Sequence, residues 1–125
     1  MPELSLILDA ATACLALAFA CGLVLAGIRF ASDRASPTWL AKLHGVGAAS
    51  GLAWLLLGWV RLPGFPPLAL WATALLLLAA VLGLVLSLAY RGRQRALPEA
   101  LVFVHMSLAF VGFLLVGLQA LAGAT

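Results

Sequence analysis

Four long apolar stretches, with little chain between them, decide what this protein can fold into. They run over about 4–28, 38–60, 68–90 and 97–121, and each reaches the roughly 20 residues an α-helix needs to cross a bilayer core. With 66% of its 125 residues hydrophobic and 9% charged, the chain lies far from the balance of a soluble domain. It reads as an integral membrane protein whose one domain, residues 1–125, leaves no room for a separate soluble catalytic unit.

The second constraint is an internal repeat. Sliding the sequence by 61 positions lays Ala11-Thr12-Ala13 on Ala72-Thr73-Ala74 and Gly22-Leu23-Val24-Leu25 on Gly83-Leu84-Val85-Leu86. The same shift lays Arg34 on Arg95, Pro37 on Pro98, His44 on His105, Ala48 on Ala109 and Gly51 on Gly112. Leu and Ala matches mean little in so apolar a chain, whereas matched Gly, Pro, Arg and His do. Each repeat, about 4–61 and about 67–122, is one helical hairpin. Two hairpins of the same orientation are expected to be related by a pseudo-two-fold axis along the membrane normal. The fold class that follows is all-α: an integral membrane four-helix bundle built from two tandem parallel helical-hairpin repeats.

The net charge of +3 is a topology signal and not a nucleic-acid footprint. Arg29, Arg34 and Lys42 flank the first connection, and Arg91, Arg93 and Arg95 fill the third, while only Arg61 lies near the second. Basic loops favour the cytoplasmic side, so both termini are expected outside, with Trp59 and Trp71 in the outer aromatic belt and Trp39 and Tyr90 in the inner one. A cleaved signal peptide competes for the N-terminus, but the segment lacks a basic start, carries Glu3 and Asp9, and matches the third span through the repeat. Cys14 and Cys21, about 10 Å apart along one helix, are too distant to pair and read as small buried residues.

The two histidines of the chain are His44 and His105, and they share one repeat position. Each stands seven residues after a proline, so roughly 10 Å inside its helix. Gly51 and Gly112, seven residues further on, share their helical face. Small residues there serve either close helix packing or a slot for a flat ligand. Gly22 and Gly83, on the first and third spans, fall at similar depth. A lone membrane histidine reads most simply as an interhelical hydrogen-bonder. Two at one repeat position, with matched glycines, read as ligands of one shared group, since intramembrane ionisable residues mark function and neutral imidazole binds iron well. Two histidines without nearby Cys, Asp or Glu make a poor cage for a bare metal ion.

This pattern resembles the membrane-bound cytochromes of the cytochrome b superfamily. The resemblance implies a four-helix bundle with His44 and His105 as axial ligands of haem b, and Gly22 and Gly83 as close-approach positions for the porphyrin. The family usually stacks two haems, with a second histidine pair about fourteen residues along; here those positions are Gly58 and Gln119, so one bis-histidine haem is expected, nearer the cytoplasmic side. Arg34 and Arg95 are the expected propionate partners, through charge-assisted bonds, although arginines there also serve as positive-inside anchors.

The function that follows is single-electron transfer in a bacterial inner membrane. The partners would be a quinol, a redox protein, a larger membrane complex or a second copy of the chain. No nucleophile, general base or substrate pocket is evident, so an electron-transfer protein fits better than a self-sufficient oxidoreductase. The alternatives are a non-redox accessory subunit of a larger membrane assembly and a haem carrier or sensor.

Overall fold

The computed structural model describes residues 2–32 and 34–123. Four helices account for nearly all of them: α1 (Pro2–Ala31), α2 (Thr38–Arg61), α3 (Pro67–Val85) and α4 (Glu99–Gly123). All four are long and apolar enough to cross a membrane, α3 counting together with its continuation to Arg93. Proline punctuates the chain where a helix must begin: Pro37 and Pro66 precede α2 and α3, and Pro67 opens α3, a place where a missing N–H costs nothing. Gly64, at φ +72°, makes the tight turn between α2 and α3.

The helices form an antiparallel bundle. Gly47 lies against Cys14 and Ala18, Gly51 against Ala11 and Leu15, and Gly58 against Ile7, so α2 descends as α1 ascends. The closest packing is within each hairpin, α1 on α2 and α3 on α4; α1 also packs on α4, and α2 more lightly on α3. That leaves α2 and α4 diagonally opposed.

Many large apolar side chains point away from the bundle: Val60 is 80% exposed, Leu121 69% and Leu88 68%. Such a surface is stable only in lipid, and the protein is a multi-pass membrane protein. Hydroxyls that would otherwise be stranded donate back to the carbonyl four residues earlier, Thr12 to Leu8 and Thr73 to Ala69, both at 2.7 Å.

Two hydrophobic clusters fill the interior. The larger includes Leu8, Ala11, Leu15, Leu55, Phe65, Ala72, Leu76 and Val116; the smaller, near the basic connections, comprises Ala26, Leu86 and Val102 with Tyr90, Leu97, Leu101 and Met106 packed on it. His44 and His105 lie in the layer between them.

The basic end is closed by a reciprocal brace. Arg29 donates through Nε to the Leu97 carbonyl at 2.6 Å and approaches Glu99 at 3.5 Å. Arg91 donates to the Ser36 hydroxyl at 2.6 Å and to the Ser36 carbonyl at 2.9 Å. Leu97 and Ser36 are 61 residues apart, but Arg29 and Arg91 are 62. The extra residue is absorbed where α3 widens into a π-helical turn over Leu86–Tyr90, before the 3-10 turn Arg91–Arg93; such turns accommodate one inserted residue.

Candidate functional site

α2 and α4 bring His44 and His105 to face each other across the bundle diagonal, with ring centroids 6.1 Å apart and planes at 78°. Each imidazole is anchored to the neighbouring helix of its own hairpin. His44 Nδ1 lies 2.6 Å from the Ala18 carbonyl, and His105 Nδ1 lies 2.7 Å from the Ala79 carbonyl. A carbonyl only accepts, so in each neutral ring Nδ1 carries the proton and donates, and Nε2 keeps the lone pair. Among the described residues neither Nε2 has a hydrogen-bond partner. Two acceptor nitrogens cannot bond to one another. A group that joined the pair through both Nε2 atoms would have to be a donor of hydrogen bonds or a Lewis acid.

The glycines explain how the rings fit. A Cβ at Gly22 would stand 2.9 Å from His44 Cε1, and one at Gly83 would stand 3.0 Å from His105 Cε1. The close approach expected at these positions is therefore made first by an imidazole, each ring resting on the glycine of the adjacent helix. Gly51 and Gly112 are buried helix contacts: a Cβ would fall 2.6 Å from Leu15 Cγ at one and 2.7 Å from Leu76 Cγ at the other. Of the two roles open to them, close packing is the one these side chains fill. At the depth of a second ligand pair, Gly58 is packed by Phe65 and Ile7.

Arg34 and Arg95 differ in placement. The Arg95 guanidinium lies 5.3 Å from the centre of the Tyr90 ring, a cation–π contact beside the smaller cluster. Arg34 is exposed and turns along the outer face of α1. Neither contacts a histidine. Sequence reasoning missed the bracing role of Arg29 and Arg91; their one-residue offset against the repeat was the available signal. It also missed the Ala18 and Ala79 carbonyls, which no side-chain motif announces.

Between α1 and α4 an open groove of about 290 Å³ is lined by Phe19, Leu23, Met106, Ser107 and Phe110, of which Phe19 and Met106 directly follow Ala18 and His105 in the chain. Among the described residues no group of three or more His, Cys, Asp or Glu side chains comes together. A bare cation, which wants three or four protein ligands, has no such set there, whereas a metal whose other ligands belong to a cofactor needs only two.

Compared with known proteins, the chain matches no family model, no curated protein and no solved structure.

The seating of the rings yields an expected result. Gly22→Ala forces His44 to shift, at a cost of roughly 1–3 kcal/mol as overpacking usually exacts, and would weaken retention of a ligand held by the histidine pair. Gly117→Ala, where a Cβ meets nothing within 4 Å, should leave retention unchanged. Side-by-side purification of the two variants, measuring ligand per chain, checks this.

Proposed function

We propose that this protein is a small membrane b-type cytochrome that holds one haem b between His44 and His105 and passes single electrons. The observation that carries the reading is the pair of imidazoles on opposed helices, each fixed by a carbonyl so that its Nε2 lone pair is left for a ligand. The spacing fits. The ring centres stand 6.1 Å apart, a separation that would leave room for one metal held by both histidines.

Haem iron, when bound, supplies the one-electron couple. The chain supplies the rest. Donation from Nδ1–H to Ala18 and Ala79 fixes ring orientation and strengthens Nε2 as a ligand. His44 and His105 together would hold the iron, and ligation by two protein side chains would favour electron transfer over binding of oxygen. The apolar clusters on either side of the histidine layer exclude water, and Gly58, occupied by Phe65 and Ile7, favours one haem over two. Arg95, beside Tyr90 at the basic end, is the propionate partner in this reading.

The paired contacts at 61-residue spacing support a pseudo-two-fold arrangement of the hairpins. The clustering of Arg29, Arg34, Lys42, Arg91, Arg93 and Arg95 at one end favours that end as cytoplasmic, with both termini outside. The haem then lies nearer the cytoplasmic face of what we take to be a bacterial inner membrane. A quinol or a redox protein would exchange the electrons.

The test is an absorption spectrum of gently solubilised protein from haem-replete cells, oxidised and then reduced with dithionite. Sharp α and β bands in the reduced state are expected. A folded but colourless protein would overturn the proposal and leave the accessory-subunit reading in its place.

A further inference from the structure

The basic end of α1 carries a second groove, about 520 Å³ in volume and independent of the histidine pair. Its floor is the stripe Val24, Gly27, Ile28 and Ala31, and its mouth is formed by Ser32 and Arg34. Val24, Gly27 and Ala31 are exposed on one face of the helix, at spacings that align them along its axis. The groove thus runs from apolar membrane depth to a cation at the interface. It is open because residue 27 is glycine, where a Cβ would meet nothing within 4 Å.

The other repeat provides an internal comparison. The position matching Gly27 is Leu88, and the arginine matching Arg34 is Arg95, which stacks on Tyr90. Arg29 and Arg91 are spent on the brace. The guanidinium of Arg34 has no partner among the described residues, and this arginine, which follows Asp33 in the chain, lines a largely apolar groove at the basic end of the protein.

The geometry points to a binding site for one anionic phospholipid. One acyl chain lies along Val24, Gly27, Ile28 and Ala31, and the phosphate is held by Arg34, whose planar fork suits bidentate phosphate contact. Basic sites at the cytoplasmic ends of transmembrane helices bind anionic headgroups by this charge pairing. The site does not depend on haem.

The experiment is native mass spectrometry of the protein released from nanodiscs of equal phosphatidylglycerol and phosphatidylcholine. Wild type is expected to retain one phosphatidylglycerol about fivefold over phosphatidylcholine, the factor equal to the roughly 1 kcal/mol a basic residue gains at an anionic surface. Arg34→Gln should bring the two lipids to parity, Arg93→Gln should not, and Gly27→Phe should displace the lipid while circular dichroism and melting stay as in wild type. No preference in wild type, or preference surviving both Arg34→Gln and Gly27→Phe, would overturn the site. So would loss of haem without loss of lipid preference in Arg34→Gln, which would give the arginine to a propionate instead.

Discussion

In the proposed cytochrome, either His44→Ala or His105→Ala alone is expected to abolish the low-spin reduced spectrum completely, not by half. A bis-histidine iron needs both rings, and among the described residues no other His, Cys, Asp or Glu gathers with the pair. Even partners that only orient a metal-bound histidine cost 10–100-fold in affinity when removed, and loss of a ligand itself exceeds that. Each ring is half-buried and makes one hydrogen bond, at 2.6 or 2.7 Å. Its removal should therefore cost the fold only about 1 kcal/mol, and the variants should remain helical and soluble in detergent. Added imidazole should restore part of the spectrum in each variant. Were the histidines simple interhelical hydrogen-bonders, both substitutions would leave the spectrum as it is in wild type and lower only the melting temperature.

The fold was legible because a bilayer removes most choices. Runs of apolar residues near 20 long, separated by Pro, Gly and Arg, admit little but helices, and the helices start and stop within a few residues of the expected spans. The diagonal placement of His44 and His105 was legible too, since the two share one repeat position, each on the second helix of a hairpin. The reason for the glycines was less so. Gly22 and Gly83 share a depth with the histidines, but sequence alone does not show that an imidazole rests on each of them, as His44 and His105 do. Nor does it show that Gly51 and Gly112 are packed by Leu15 and Leu76. Arg34 and Arg95 are identical by repeat and different in space, because a π-helical turn and Tyr90 occur in one hairpin only. Equivalence in sequence passed to backbone contacts, such as those at Ala18 and Ala79, more faithfully than to long exposed side chains. Backbone hydrogen bonds between packed helices have little freedom; an arginine at an interface has a great deal.

The same equivalence predicts the largest stability effect. Gly51→Ala would place Cβ 2.6 Å from Leu15 Cγ, with the Ala11 carbonyl at 3.2 Å, and Gly112→Ala would place it 2.7 Å from Leu76 Cγ, with the Ala72 carbonyl at 3.3 Å. Alanine gains up to about 1 kcal/mol over glycine in helix propensity. Against this, the contact is at the branch carbon of a buried leucine and a backbone oxygen stands close by, so the neighbour cannot simply swing its tip aside. Overpacking of this kind costs about 1–3 kcal/mol, so each variant is expected to be destabilised by about 1–2 kcal/mol net. The two sites share no contacting residue, and the double variant should lose the sum, a large part of the 5–15 kcal/mol that a typical protein has. Leu15→Ala should relieve Gly51→Ala but not Gly112→Ala, and Leu76→Ala should do the reverse. Unfolding in mixed micelles of increasing dodecyl sulfate, followed by circular dichroism, measures all of these on one scale. Equal losses with hairpin-specific rescue are the result expected of two hairpins packed alike. A neutral Gly51→Ala beside a damaging Gly112→Ala would mean that the leucine contacts, although matched in position, do not hold the two hairpins equally.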